Sequence, residues 1–137
     1  MTSPAELHEA LVAVLKAMPT VTGYDATVPT NIPTSTDGRA LPYAVAWPSP
    51  GGAAEESAVH DTSGALDWTE QVTVAAGDVI WCLKAVHTVR ATLAGRVLVA
   101  NAGPLVDETP RSVTLQRDTD VSPPRWFVPL FFACLTA

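Results

Sequence analysis

Asp118 and Asp120 form an Asp-x-Asp pair. Carboxylates at that spacing can share a divalent cation when a strand points both to the same side. Here Ser122-Pro123-Pro124 follow at once, so the pair is expected in a turn, where Asp side chains accept hydrogen bonds from nearby backbone amides. The three histidines, His8, His60 and His87, give no ligand spacing such as HxxxH or HExxH. His87 falls beside the buried stripe of a helix and is expected to be a hydrogen-bonded structural residue. Cys82 and Cys134 belong to no CxxC or CxxH and each lies in an apolar run, which predicts buried free thiols. The chain has no nucleophile elbow, no phosphate-binding loop and no dinucleotide glycine fingerprint, and Gly51-Gly52 is too poorly framed to cradle a phosphate. A Ser/His/Asp set drawn from distant positions has no local support. The residues therefore point to no catalytic group, no cofactor and no metal.

The charge is more informative. The net charge of −6 argues against a protein that grips nucleic acid, since neutralising phosphates needs a basic surface. It is also unevenly placed: no Lys or Arg occurs between Arg39 and Lys84, whereas Glu55, Glu56, Asp61, Asp67, Glu70 and Asp78 all do. From Lys84 to Arg125 basic residues outnumber acidic ones. Such asymmetry suits head-to-tail contact between identical subunits, beside the plainer alternative of scattered surface charge.

The elements that would carry these residues can be placed from the pattern. With 137 residues the chain makes one domain, large enough to fold without disulfides or metal. Ser3, Pro4 and Glu6 spell a capped helix start, and Leu7, Leu11, Val14, Leu15 and Met18 recur on one face until Pro19 stops the helix. His8, Glu9 and Lys16 lie off that stripe and are expected in solvent. Val21 to Tyr24 reads as a short strand, and Tyr43, Val45 and Trp47 alternate as in a half-buried one. In Leu66 to Ala76 the residues Leu66, Trp68, Val72 and Val74 share one parity, which Glu70 interrupts. Asp78 can cap a second helix with the stripe Cys82, Ala85, Val86, Val89 and Leu93 and a stop at Gly95. Trp81 is one residue off that stripe and is expected to be partly exposed. Further strands are predicted at Val97–Val99, at Ser112–Leu115 and from Trp126 to the apolar end. The 12 prolines cluster between these segments, marking long loops near 26–41, 49–64 and 100–110. The expected fold is α+β: a single mixed or antiparallel sheet of about five strands with two amphipathic helices on one face. The longest apolar run, Trp126 to Leu135, is too short to span a bilayer, and Met1 to Glu6 lack the basic and apolar regions of a signal peptide.

The order of elements carries a resemblance. An amphipathic helix, a proline-rich loop and the strand Pro42-Tyr43-Ala44-Val45 open the chain. Gln71-Val72-Thr73-Val74 then runs into a helix closing on Val89-Arg90-Ala91-Thr92-Leu93-Ala94-Gly95-Arg96. Asp118-Thr119-Asp120-Val121-Ser122-Pro123-Pro124-Arg125-Trp126-Phe127-Val128-Pro129-Leu130 completes the set. This pattern resembles the tail terminator (tail completion) proteins of long-tailed bacteriophages, especially those of actinobacterial phages. The resemblance implies a non-enzymatic virion protein, assembled in the host cytoplasm into a ring, a hexamer in that family. The ring would cap the tail tube protein, stop its polymerisation and present a surface to the head–tail connector or stopper. Genomic DNA would slide through its lumen without specific binding, helped by an acidic wall that repels phosphate. A neck connector or stopper is the alternative from the same class. A small cytoplasmic enzyme or ligand-binding domain is the rival from another, and would need a pocket with convergent polar groups. The interface residues expected on this view are Glu55, Glu56, Asp61, Trp81, Asp118, Asp120, Arg125 and Trp126.

Overall fold

The computed structural model describes residues 2–53 and 65–137. Helix α1 (Pro4–Ala17) begins where Ser3 Oγ accepts a hydrogen bond from the Glu6 amide and ends as Met18 turns extended ahead of Pro19. Strands β1 (Thr22–Asp25) and β2 (Tyr43–Trp47) follow, and they run parallel. Parallel neighbours need a crossover, and residues 26–42 supply it by passing over the sheet face opposite α1. Ile32 and Ala40 of that crossover pack on Tyr43, Val45 and Ala75. This is why Tyr43 to Ala46 are all buried rather than alternating as expected: α1 covers one side of β2 and the crossover covers the other.

Beyond β2 come β3 (Gly52–Ala53) and the long β4 (Leu66–Ala76), then helix α2 (Val79–Leu93). Asp78 caps α2 by accepting from the amides of Ile80 and Trp81, and Gly95 leaves it at φ 81°. Strands β5 (Val106–Asp107), β6 (Gln116–Asp118) and β7 (Arg125–Leu135) complete the sheet. Its order is β1-β2-β4-β7-β5, with β3 paired to β4 and β6 to β7. The seven strands occupy five positions, because β2 and β3 share one flank of β4 while β5 and β6 share one flank of β7. All pairs except β1–β2 are antiparallel. Pro129, inside β7, lies opposite the break between β5 and β6, where no partner needs its missing N–H.

Even-numbered residues of β2, β4 and β7 face both helices. Ala44, Ala46, Trp68, Val72, Val74, Val128, Leu130 and Phe132 pack there on Leu7, Leu11 and Leu15 of α1 and Ala85, Val86 and Val89 of α2. Gly23 lets α1 lie this close, since a Cβ there would stand 2.7 Å from the Leu15 carbonyl carbon.

Two expected strands differ in the structure. Val97–Val99 is irregular: Gly95 N–H donates to the Leu105 carbonyl and Leu105 N–H to the Arg96 carbonyl, closing 96–105 into a loop whose Leu98 and Val99 still pack on the core. The outer flank of β7 is filled by β5 from within the predicted loop 100–110. Ser112–Leu115 is also irregular, and the strand forms just after it, where Gln116 to Asp118 find register with Phe127 to Arg125.

Candidate assembly surfaces

The most concentrated chemistry lies between α1 and the sheet. Glu70 is on the core-facing parity of β4 and is almost wholly buried. His8 reaches it from α1, with Nδ1 2.9–3.0 Å from both carboxylate oxygens, while Nε2 lies 2.6 Å from Asp25 Oδ1 on β1. Carboxyl groups beside both ring nitrogens favour the imidazolium, which can donate to each of them. Burial works against its charge, but the hydrogen bonds to Glu70 and Asp25 outweigh it and raise the His8 pKa. Burial also pushes the Glu70 carboxyl up, more strongly than His8 pulls it down. A ring with both N–H groups committed has no position left for proton transfer, so this bridge holds α1 on the sheet. His8 was expected in solvent. The signal for its true place was Glu70, because a carboxylate on a buried parity demands a partner.

The expected interface residues are placed as follows. Trp81 is half-buried at the first turn of α2, with the Arg39 guanidinium 5.2 Å from its ring centroid. Arg39 in turn is held by Asp37 Oδ2 at 2.8 Å and Asp78 Oδ1 at 3.1 Å. Asp118 ends β6 and accepts from the Asp120 amide at 3.0 Å, which is the turn capping expected of this pair; Asp120 is exposed. Trp126, second in β7, is half-buried, with the Arg117 guanidinium 5.8 Å from its ring centroid. Arg125 is 9% exposed. Its Nη1 donates to Tyr43 Oη at 2.9 Å, and Nε and Nη2 donate to the Pro123 carbonyl at 3.3 and 3.0 Å. Arg125 thus ties the 118–125 turn to β2 inside the subunit. Glu55, Glu56 and Asp61 lie outside the described residues. His87 departs from expectation and is exposed on α2.

Both cysteines are buried free thiols. Cys82 Sγ donates to the carbonyls of Val74 and Trp126, and burial pushes its pKa to about 11, far from a reactive thiolate. Among the described residues no group of three His, Cys, Asp or Glu is arranged to hold a metal ion, and no helix is long and apolar enough to cross a membrane.

Two apolar patches that sequence reasoning missed stand open. On the outward side of α2, Ile80 and Leu83 are 55% and 48% exposed. Lys84 follows Leu83 in sequence, and Arg111 lines with Leu83 a groove of about 350 Å³. Arg90 beside them is engaged by Asp107, 2.9 Å from its Nε. On the sheet face turned away from the helices, Val106 of β5 and Leu135 of β7 are 56% and 59% exposed. With Pro104 they line a groove of about 400 Å³ that Asp67 and Glu108 also border. The helical patch would have been legible had positions 80 and 83 been scored as an exposed apolar pair. The sheet patch depends on β5 pairing with the far end of β7, which no local pattern announces.

No protein-family profile matches the chain, and no curated protein sequence matches it. Among solved structures, a chain from the "Virion of native gene transfer agent (GTA) particle" superposes with a TM-score of 0.54, covering 98% of this chain and 94% of that one at 19% identity. The two chains share one fold along nearly their whole lengths.

Proposed function

We propose that this chain is a structural subunit of a phage-type virion, a ring-forming protein that terminates the tail tube and joins it to the neck. The observation that carries this reading is the fold shared end to end with a chain of a virion particle. The tail-terminator pattern of the sequence, from the first helix to the Asp118–Leu130 segment, narrows it to the tail end. The bridge at His8 and the contacts of Arg125 lie inside the subunit, which leaves α2, the open sheet face and the 118–122 turn to meet partners. The acidic segment with Glu55, Glu56 and Asp61 is assigned to the lumen, where negative charge keeps DNA sliding. Neutralising those three residues would then slow DNA passage.

Electron microscopy of lysates from a phage lacking the gene tests the reading. Abnormally long, headless tails are expected. Normal-length tails beside separate filled heads would move the role to the connector or stopper, and intact infectious virions would overturn an assembly role altogether.

A further inference from the structure

The two open patches differ in charge and lie on opposite sides of the subunit. Around Ile80 and Leu83 the charges without an ion-pair partner among the described residues are the cations Lys84 and Arg111, since the nearby carboxylates Asp78 and Asp107 are taken by Arg39 and Arg90. Around Val106 and Leu135 they are the carboxylates Asp67 and Glu108, neither of which has a cation partner among the described residues. Parity places Leu135 and Asp67 on the sheet face away from the helices. Val106 joins them through its register with Ala133.

We propose that the outer face of α2 in one copy docks on the β5–β7 end of the open sheet face in the next copy. Ile80 and Leu83 enter the groove between Val106 and Leu135, with Lys84 and Arg111 against Asp67 and Glu108. Apolar surface of this kind, rimmed by charge, marks an association site. Charge decides the pairing: helix patch on helix patch would set cation against cation, and sheet patch on sheet patch carboxylate against carboxylate, whereas helix on sheet is complementary. A contact between two different surfaces of one chain is heterologous, and such contacts generate rings when the rotation closes. This inference rests on the assembly reading above and adds to it which surfaces meet.

Two variants disable one patch each. Ile80→Asp changes an exposed position in the first turn of α2, where an acidic side chain suits the helix dipole. Val106→Asp changes an exposed position of an edge strand. Circular dichroism should show both folded like the wild type. In sedimentation velocity the wild-type chain is expected to grow in mass with concentration, and each variant alone to stay at the 14.4 kDa monomer. An equimolar mixture retains one intact helix patch and one intact sheet patch, so it should reach twice the monomer mass and stop there. If Val106→Asp alone still associates while Ile80→Asp does not, the helix patch pairs with itself and the inference falls. A mixture that stays monomeric, or a wild-type chain that is monomeric at its highest soluble concentration, overturns it as well. None of these results touches the assembly reading, which stands or falls on the particles made without the gene.

Discussion

Replacing His8 by alanine would strand a buried carboxylate. The Glu70 side chain is fully buried and that of His8 is 14% exposed, so the variant leaves Glu70 with a backbone hydrogen bond at Ser49. Removing one side of a buried ion pair costs about 3–5 kcal/mol. His8 sits at the rim and a stranded carboxyl can take up a proton, which together favour the lower end, about 3 kcal/mol. For a domain of this length each kcal/mol moves Tm by about 4 °C, giving a fall of roughly 10 °C near neutral pH. Glu70→Gln keeps the shape and one acceptor oxygen for His8 and should cost less, about 1–2 kcal/mol. The double variant no longer strands a charge, so its loss should fall short of the sum by more than about 0.5 kcal/mol, the limit for independent sites. Urea denaturation followed by tryptophan fluorescence measures all three, since Trp68 is wholly buried. A His8→Ala loss below about 1 kcal/mol, or strict additivity in the cycle, would refute the bridge.

The same bridge fixes a pH dependence. The His8 pKa is raised in the folded chain, so its stabilisation is complete below about pH 6.5 and is lost as pH rises through the folded value. The Tm gap between wild type and His8→Ala should therefore narrow across that window, and a constant gap in a thermal series would contradict this. Gly23→Ala should cost about 1–3 kcal/mol by pushing α1 off β1, read as an earlier urea midpoint; an unchanged midpoint would show that α1 can shift freely. Arg125→Ala should lose about 2 kcal/mol by stranding the Tyr43 hydroxyl and the Pro123 carbonyl, and Arg125→Glu should express insolubly, whereas a well-folded Arg125→Glu would return this residue to the surface. Neither cysteine should react with a thiol reagent at pH 8 until the chain unfolds, because burial raises both thiol pKa values; prompt labelling of the native protein would count against that burial.

Much of this fold was legible in local chemistry. Ser3, Pro4 and Glu6 mark one helix start and Asp78 another, and the Ser3 and Asp78 side chains accept from the amides their positions predict. The stripe from Cys82 to Leu93 is the buried face of α2 residue for residue. Tertiary arrangement decides the rest. Val97–Val99 has a strand's composition, but the flank of β7 it would need goes to Val106 and Asp107. Tyr43–Trp47 alternates by type, yet Tyr43 to Ala46 are covered on both sides, because the crossover that parallel pairing requires lies over them. His8 looked like a surface residue on its own helix. Only the pairing that sets Asp25 and Glu70 on the same face of the sheet as α1 gives it partners. Arg125 likewise becomes internal through Tyr43, a residue far away along the chain.

The central ladder of β4 with β7 joins Asp67 to Leu135 and Ala76 to Trp126, residues that between a third and a half of the chain separates. Such a contact closes a large loop before it gains anything, and that entropy must be met at the barrier to folding. The helices and the β1–β2 corner can sample their shapes early, but their apolar faces have no floor until β7 arrives between β4 and the paired β5 and β6. Capture of β7 is therefore the step expected to limit the folding rate. Until that capture β4 presents an unpaired edge of alternating Val and Thr, the kind of surface on which copies of a chain can pair wrongly. For a chain with the assembly role proposed above, the interval before β7 docks is when misassembly would compete most strongly with folding.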